Sequence, residues 1–169
     1  MHEISFRKII LPLKDKLFRL ALQITRNRAE AEDTVQETLI RIWNRRSEWE
    51  KIESLEAYCL TVVRNLAIDR SERMDAQTVE LTAELDRISD SSGPHDYLVS
   101  KDHLMLVRRL MSELPEKQRL TMHLREVEGK SYKEIAALLQ ISEEQVKVNL
   151  FRARQKVKQR FVEIDRYGI

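Results

Sequence analysis

The sequence predicts an all-α protein made of two small helical domains joined by a flexible acidic linker. Glycine and proline number only three each, while 34% of the residues are charged and 42% are hydrophobic. Such a composition favours helices over turns and strands. Apolar residues also recur at helical spacing along most of the chain. This spacing is lost at 76–97, where acidic residues accompany a Ser-Ser-Gly-Pro run. We therefore predict helical domains at 1–75 and 98–169, with a linker between them.

Three helices account for the first domain in this prediction. They span Ile4–Thr25, Ala29–Arg45 and Leu55–Arg73, and each has an apolar stripe at spacings of three and four residues. Pro12 marks the start of a new helix, because proline fits a first turn better than a helix interior. Beside its stripe, the second helix has an acidic surface. That surface is either a solvated face or a docking face for a basic partner.

The stretch before the third helix is predicted to be a loop with an unusual aromatic residue. Ser47–Ser54 has no clear period, and Trp49 within it is either tucked back as a lid or displayed for stacking. The third helix carries a row of polar side chains that includes Arg64 and Asn65. Such a row beside a displayed indole suits single-stranded nucleic acid. Salt bridges to acidic neighbours such as Asp69 explain the row equally well.

The second domain is predicted to contain four helices. The first two span Tyr97–Ser112, with Leu104 on its apolar face, and Glu116–Val127. The tail from Phe161 to Ile169 is predicted to fray.

The last two helices lie within residues 128–158. Ser131 precedes Glu134 by three residues, which is the spacing of a capping box, and Ser142 is a suitable N-cap for the second helix. The apolar residues of that second helix recur in steps of four, three and four, at Val146, Leu150, Ala153 and Val157. Its other faces are rich in Arg and Lys.

This pair of helices is typical of a DNA-binding helix-turn-helix, whose second helix enters the major groove. Basic residues exceed acidic ones in 101–169, as contact with phosphates requires. The alternative is a helical hairpin with a solvated charged face.

The sequence gives no indication of catalysis, cofactor binding or membrane insertion. The four histidines lack metal-ligand spacing, and neither a phosphate-binding glycine-rich loop nor a nucleophile elbow is present. We expect no enzymatic activity, no cofactor and no metal site. Cys59, the single cysteine, is expected to fill the core rather than to sense redox state. No apolar run reaches membrane-spanning length and no signal peptide is visible, so we expect a cytoplasmic protein.

Four segments together resemble the extracytoplasmic-function (ECF) sigma factors of bacterial RNA polymerase. They are AEDTVQETLIRIW (31–43), YCLTVVRNLAIDR (58–70), LPEKQRLTMHLREVEGKSYKEIAALL (114–139) and VKVNLFRARQKV (146–157). Their order, with an acidic segment in the middle, makes the resemblance specific, and it covers nearly the whole chain. It implies a subunit that directs core RNA polymerase to promoters. The main alternative is a stand-alone helix-turn-helix regulator. An interaction protein such as an anti-sigma factor or adaptor is a third class, but it would leave the basic helix unexplained.

The resemblance also implies roles for particular residues. It places contact with core polymerase at Asp33, Gln36 and Glu37. It assigns capture of the melted strand of the −10 element to Trp49, Arg64, Asn65 and Asp69. It assigns contact with the −35 element to Arg125, Tyr132, Lys147, Val148, Phe151 and Arg152. The implied partners are core RNA polymerase, promoter DNA and an anti-sigma factor, which in this family is usually membrane-bound, with no small-molecule substrate.

The chain departs from the family pattern in three places. Gln140 replaces a common glycine at the turn, where a left-handed backbone would be strained. Residues 143–145 replace a small residue followed by Gly-Thr, and Val148-Asn149 replaces Ser-Arg. We therefore expect a different base preference in the −35 element. Phe151 either faces DNA or lies partly in the core.

Overall fold

The computed structural model describes residues 2–77 and 99–167, and the chain divides into two compact units, Met1–Ile88 and Ser89–Ile169. Every regular element in the described part of the chain is helical, which confirms the all-α prediction. The α-helices are α1 (His2–Ser5), α2 (Lys14–Thr25), α3 (Arg28–Asn44), α4 (Leu55–Gln77), α5 (Val99–Ser112), α6 (Glu116–Met122), α7 (Tyr132–Leu139) and α8 (Glu143–Tyr167). None of the helices in these two ranges is both long and apolar enough to cross a membrane.

The first unit is a packed set of three helices, α2, α3 and α4. Its core includes Leu17, Leu20 and Ile42, all fully buried. The segment before α2 changes its winding, with a π-helical turn at Phe6–Ile10 and a 3₁₀ turn at Leu11–Leu13. Proline occupies the first turn of the 3₁₀ segment, where its missing N–H leaves no helical bond unmade. The predicted start of a new helix at this proline is confirmed.

The joint between α2 and α3 is fixed by two adjacent residues. Arg26 adopts a left-handed conformation with a φ of 55° and ends α2. The Asn27 side-chain oxygen accepts a hydrogen bond of 3.0 Å from the Glu30 N–H and starts α3. Thr34 and Thr38 are fully buried in α3 because each hydroxyl donates to the carbonyl one turn earlier, at 2.6 and 2.7 Å. The apolar stripe of α3 can therefore include two polar residues.

Two predictions for the first unit are wrong. The stretch predicted as a loop contains a 3₁₀ helix at Arg46–Lys51, and α4 extends to Gln77 rather than ending at Arg73. The first difference has a clear cause, because the Trp49 indole N–H donates to the Ile42 carbonyl at 3.0 Å and holds the stretch against α3. The predicted linker at 76–97 therefore begins in helix, and its residues from 78 onward lie outside the described residues.

The second unit is built on a cluster of apolar residues from α5, the turn after it, α6 and α8. The cluster contains Leu110, Leu114, Met122, Leu150, Ala153 and Val157. It includes three residues of the stripe predicted for α8, and the fourth, Val146, is fully buried. Phe161 and Ile164 also pack against it, so α8 stays helical through Tyr167 and the predicted fraying is wrong over 161–167.

Two further differences concern α5 and α6. The predicted helix Glu116–Val127 is α6 followed by a π-helical turn at His123–Val127. Leu104, predicted on the buried face of α5, is exposed, because α5 meets the cluster through Leu106, Val107 and Leu110. Tyr97, the predicted first residue of α5, lies outside the described residues.

The predicted helix-turn-helix is present as α7 and α8. Ser131 and Glu134 exchange two hydrogen bonds of 3.1 Å, which confirms the capping box. Ser142 caps α8: its hydroxyl oxygen accepts from the Gln145 N–H at 3.1 Å, and the Ser142 N–H donates to the Gln145 side-chain oxygen at 2.9 Å. Gln140 ends α7 with a φ of 58° and a ψ of 46°, the left-handed conformation that glutamine adopts with strain.

Candidate functional site

The outward side of α8 carries the basic and apolar residues that are predicted to meet DNA. Lys147 and Arg152 are exposed, and so are Val148 and Phe151, at 46% and 63%. Phe151 is therefore not part of the core, and its contact with DNA stays a prediction. In a major groove, such a surface presents cations to phosphates and apolar groups to base edges.

Arg125 and Tyr132, predicted to belong to the same surface, contact each other. The Arg125 guanidinium lies 4.7 Å from the centre of the Tyr132 ring and donates to the Lys130 carbonyl at 2.9 Å. Together the cation–π contact and the hydrogen bond fix the orientation of the guanidinium. Nearby, Arg154 on α8 donates to a Glu126 carboxylate oxygen at 2.9 Å, and this hydrogen bond raises the pKa of Arg154. The π-helical turn is thereby tied to both helices of the helix-turn-helix.

A buried polar pair supports the turn before α7. The Nε2 atom of His123 lies 3.1 Å from a Glu128 carboxylate oxygen, and both side chains are buried. Gly129 follows with a φ of 67°, which a residue with a side chain adopts at a cost. The position of the predicted DNA-facing residues on this turn therefore depends on interactions inside the unit.

A groove of about 720 Å³ lies between the C-terminal end of α3 and the middle of α4. Two predicted strand-binding residues, Asn65 and Asp69, line it. The lining also includes Arg41, Asn44, Arg45 and Tyr58. Cations, carboxamides and an aromatic ring suit phosphates, base edges and base faces respectively. The groove is thus chemically matched to single-stranded nucleic acid.

The polar row on α4 shows features of both interpretations left open for it. Arg64 donates to the Asn65 side-chain oxygen at 2.7 Å, which orients the carboxamide and leaves its nitrogen as the donor for a ligand. Asp69 pairs with Arg73 at 2.9 Å, as the salt-bridge alternative expects. Arg64 does not line the groove itself, and its contact with the groove is through Asn65, which it orients.

The displayed position considered for Trp49 is wrong. Its side chain is only 6% exposed, and its ring lies parallel to Phe6 with centres 6.4 Å apart. His2 and Trp43 meet it edge-on at 5.7 and 6.3 Å. Because these rings surround the indole, Trp49 holds its stretch in place and in this conformation offers no open face to a base. Trp43 is the more exposed of the two indoles, with the Arg46 guanidinium 4.5 Å from its ring centre.

The acidic face of α3 is partly engaged within the first unit. Asp33 and Gln36 are exposed, as a docking surface requires. Glu37 instead accepts a hydrogen bond of 3.1 Å from Arg41 through one carboxylate oxygen and one of 3.1 Å from Arg70 through the other. The bond from Arg70 is the main reason why the pKa of Glu37 is lowered.

Arg70 links α4 to three carboxylates of α3. It donates to Glu30 at 2.9 Å as well as to Glu37, and it lies 4.0 Å from Asp33. Burial by itself would lower the pKa of Arg70, but its bonds to Glu30 and Glu37 raise it overall. The predicted polymerase-binding face is therefore held in register with the helix that carries the predicted strand-binding residues.

Sequence reasoning does not identify several of these residues. The groove residues Arg41, Arg45 and Asn44 have no role in the sequence-based prediction. Arg70 appears in it only as a member of the polar row on the third helix, and Arg154 only as one of the basic residues of the last helix. One signal was available, since Glu37 and Arg41 stand four residues apart on a predicted helix. Nothing local indicates that Arg70 reaches another helix.

Two family models match the chain, Sigma-70 region 2 over residues 9–76 and Sigma-70, region 4 over residues 104–157. The ECF RNA polymerase sigma factor SigF of Caulobacter vibrioides is 31% identical over 137 residues, which cover 80% of this chain and 73% of that protein. The chain belongs to the ECF family of RNA polymerase sigma factors.

Other similarities of this sigma factor differ in extent. A probable RNA polymerase sigma factor of Xanthomonas campestris, RfaY, is 28% identical over 159 residues, which cover 91% of this chain but only 40% of RfaY. The sigma factor RpoE of Bartonella quintana, solved in complex with the anti-sigma factor NepR, matches with a TM-score of 0.66 at 23% identity over 95% of this chain and 98% of that one. This second similarity concerns the fold alone. The family models and the relatives support promoter recognition by a sigma factor, and none of them supports a stand-alone regulator.

Proposed function

We propose that this ECF sigma factor binds core RNA polymerase in the cytoplasm, directs it to specific promoters and initiates transcription there, without enzymatic activity of its own. One observation carries the proposal: a helix-turn-helix with an exposed basic face in the second unit and a polar groove in the first unit occur in the same chain. A stand-alone regulator needs only the helix-turn-helix. We assign residues 1–75 to polymerase and the −10 element, 98–169 to the −35 element and 76–97 to the connection.

At the −35 element, α8 enters the major groove with its N-terminal half. Lys147 and Arg152 contact phosphates or guanine edges, and the exposed Val148 and Phe151 lie against thymine methyl groups. Arg125 and Tyr132, fixed by their mutual contact, bind the flanking backbone. The exposed apolar pair, Val148 and Phe151, supports the expected difference in base preference at the −35 element.

At the −10 element, the groove of the first unit takes the unpaired strand. Asn65 and Asp69 contact the bases, Arg64 orients Asn65, and Trp49 holds the neighbouring stretch. Binding of the unpaired strand in this groove shifts the promoter towards its open form.

Two partner surfaces complete the proposal. Asp33, Gln36 and Glu37 on α3 meet a basic surface of core polymerase, and the exposure of the first two supports this role. An anti-sigma factor regulates the chain, as one binds the structurally similar RpoE. We propose that it is membrane-bound. A pull-down with the tagged chain is expected to recover an inner-membrane protein, and recovery of soluble partners alone would contradict the membrane attachment.

Reconstitution tests the central proposal. The purified chain is expected to co-elute with core RNA polymerase and to direct run-off transcripts from a subset of promoter fragments. A stand-alone regulator would bind duplex DNA without restoring initiation. Absence of both co-elution and specific transcripts would overturn the proposed function.

A further inference from the structure

We propose that Glu37 couples polymerase binding to capture of single-stranded DNA, by holding the groove cation Arg41 until a basic group of the polymerase takes its place. The inference rests on the proposed function, because it takes polymerase as the basic partner of α3. It adds Arg41 to the strand-binding residues and gives Glu37 a second role.

The geometry places one carboxylate where the two surfaces meet. Glu37 belongs to the acidic face of α3, and Arg41 lies one turn later on the same helix. Arg41 also lines the groove beside Asn65 and Asp69. The bond between Arg41 and one oxygen of Glu37 therefore joins a groove cation to the polymerase-facing carboxylate.

The bond between Arg41 and Glu37 lowers the positive charge that the groove presents to DNA. A single strand carries one negative phosphate per nucleotide, and each cation that meets a phosphate strengthens binding. While Arg41 is paired with Glu37, part of its charge is neutralised and one of its donors is occupied. The carboxylate of the groove lining, Asp69, is already paired with Arg73 at 2.9 Å. In the free chain the groove is therefore weakly attractive to DNA.

Replacing Arg41 by a basic group of the polymerase as the partner of Glu37 costs little free energy. The side chains of Arg41 and Glu37 are 59% and 37% exposed. An ion pair with this much exposure to water contributes at most about 1 kcal/mol to stability. When a lysine or arginine of the polymerase binds this oxygen of Glu37, the guanidinium of Arg41 becomes available to a phosphate. Arg70 keeps the other oxygen, and since its side chain is only 26% exposed and also bonded to Glu30, it holds Glu37 in position during the exchange.

Thermodynamic linkage makes the effect reciprocal. If polymerase raises the affinity of the groove for a strand, the strand raises the affinity for polymerase by the same factor. The sigma factor then binds single-stranded DNA tightly only when it is part of the holoenzyme.

The first test compares the free full-length chain with the holoenzyme, using a fluorescent single-stranded DNA oligonucleotide of mixed sequence. Arg41→Gln is expected to lower the affinity of the free chain less than about twofold. It should lower the affinity of the holoenzyme about tenfold, the effect of losing one charge-assisted hydrogen bond. Arg45→Gln is the matched control, because Arg45 lines the same groove and, among the described residues, is not bonded to Glu37. It should lower both affinities by the same factor.

The second test uses the free chain alone. Glu37→Gln is expected to raise its affinity for the oligonucleotide about threefold more than Glu32→Gln does. Glu32 is the matched control, since it lies on the same helix, carries the same charge and pairs with Arg28 instead, at 3.5 Å. Adding Arg41→Gln to Glu37→Gln should remove the gain.

The outcomes separate the inference from the proposed function. Equal effects of Arg41→Gln in the free chain and the holoenzyme, or equal effects of Glu37→Gln and Glu32→Gln, would overturn the inference and leave the sigma-factor function standing. A wild-type chain that fails to bind core polymerase would overturn the proposed function and the polymerase-driven exchange with it. The Glu37 comparison would then still decide whether this carboxylate restrains Arg41.

Discussion

Gln140 ends α7 in a left-handed conformation, with a φ of 58°. For a residue other than glycine this conformation costs roughly 1–2 kcal/mol. We expect Gln140→Gly to raise the free energy of unfolding of the full chain by about 0.5–1 kcal/mol, since glycine removes the strain but makes the unfolded chain more flexible. A urea titration followed by circular dichroism measures the change. The control, Gln155→Gly in the interior of α8, should lower stability by about 1 kcal/mol. A less stable Gln140→Gly protein would contradict the account of the turn.

Cys59 is fully buried, and burial, followed by the nearby charge of Glu56, raises the pKa of its thiol to about 12 from an ordinary value of 9.0. We expect the native protein to react slowly with a disulfide reagent at pH 8 and the urea-unfolded protein to react fast. Above about pH 9 the unfolded thiol ionises while the folded one does not. The free energy of unfolding should therefore fall as the pH rises from about 9 towards 12. Fast, stoichiometric labelling without denaturant would contradict the buried position.

We expect Trp49 to affect capture of the DNA strand only through the packing of its own stretch. Trp49→Ala should destabilise the protein by about 3–5 kcal/mol, and it should weaken open-complex formation more than closed binding, as measured by permanganate footprinting. Trp49→Phe keeps an aromatic ring but loses the bond to the Ile42 carbonyl, and should cost about 1–2 kcal/mol. If the Ala variant melts promoters as well as the wild type, the stretch has no part in strand capture.

The exposed face of α8 carries two cations, Lys147 and Arg152, that we expect to meet DNA phosphates. Lys147→Gln and Arg152→Gln should each weaken duplex binding and reduce the slope of log affinity against log salt concentration by about one. Arg160→Gln is the control, because Arg160 lies beyond the proposed DNA-facing half of α8 and pairs with Glu163 at 3.0 Å. Filter binding at several salt concentrations measures both effects. A slope that stays unchanged in both variants would exclude phosphate contact by this face.

The helices that sequence could predict are those whose signals are local. The capping box of Ser131 and the stripe through Val146 lie within a few residues of the features they determine. The wrong or undecided points depend on distant partners. Trp49 is tucked because of a carbonyl on α3, and the end of α8 stays helical because Phe161 finds the core of its unit. Spacing along one helix cannot reveal such contacts.

The candidate site shows the same limit. Resemblance to a family supplied residues for each surface, and their roles stay predictions. The structure adds the pairing of Arg70 with Glu30, 40 residues away along the chain, and the groove that gathers Arg41 with Asn65. Both arise from the packing of α3 on α4, which no local pattern encodes.

The division of the molecule into two units predicts that its surfaces can be disabled one at a time. Asp33→Lys should lower the affinity for core polymerase at least about tenfold, because it places a cation opposite the basic surface proposed for polymerase. It should change duplex binding no more than Glu32→Lys, a control with the same change in charge. Arg152→Gln should do the reverse, with weaker duplex binding and normal co-elution with polymerase. Loss of both activities in either variant would contradict independent surfaces.

The aromatic contacts of Trp49 have a practical consequence. Trp43 and Trp49 are the only tryptophans of the chain, and both belong to the first unit. Light emitted by indole therefore reports on that unit alone, whereas far-ultraviolet circular dichroism sums the helices of both. Thermal unfolding of one unlabelled sample, followed by tryptophan fluorescence and by circular dichroism, would show whether the two units unfold at the same temperature.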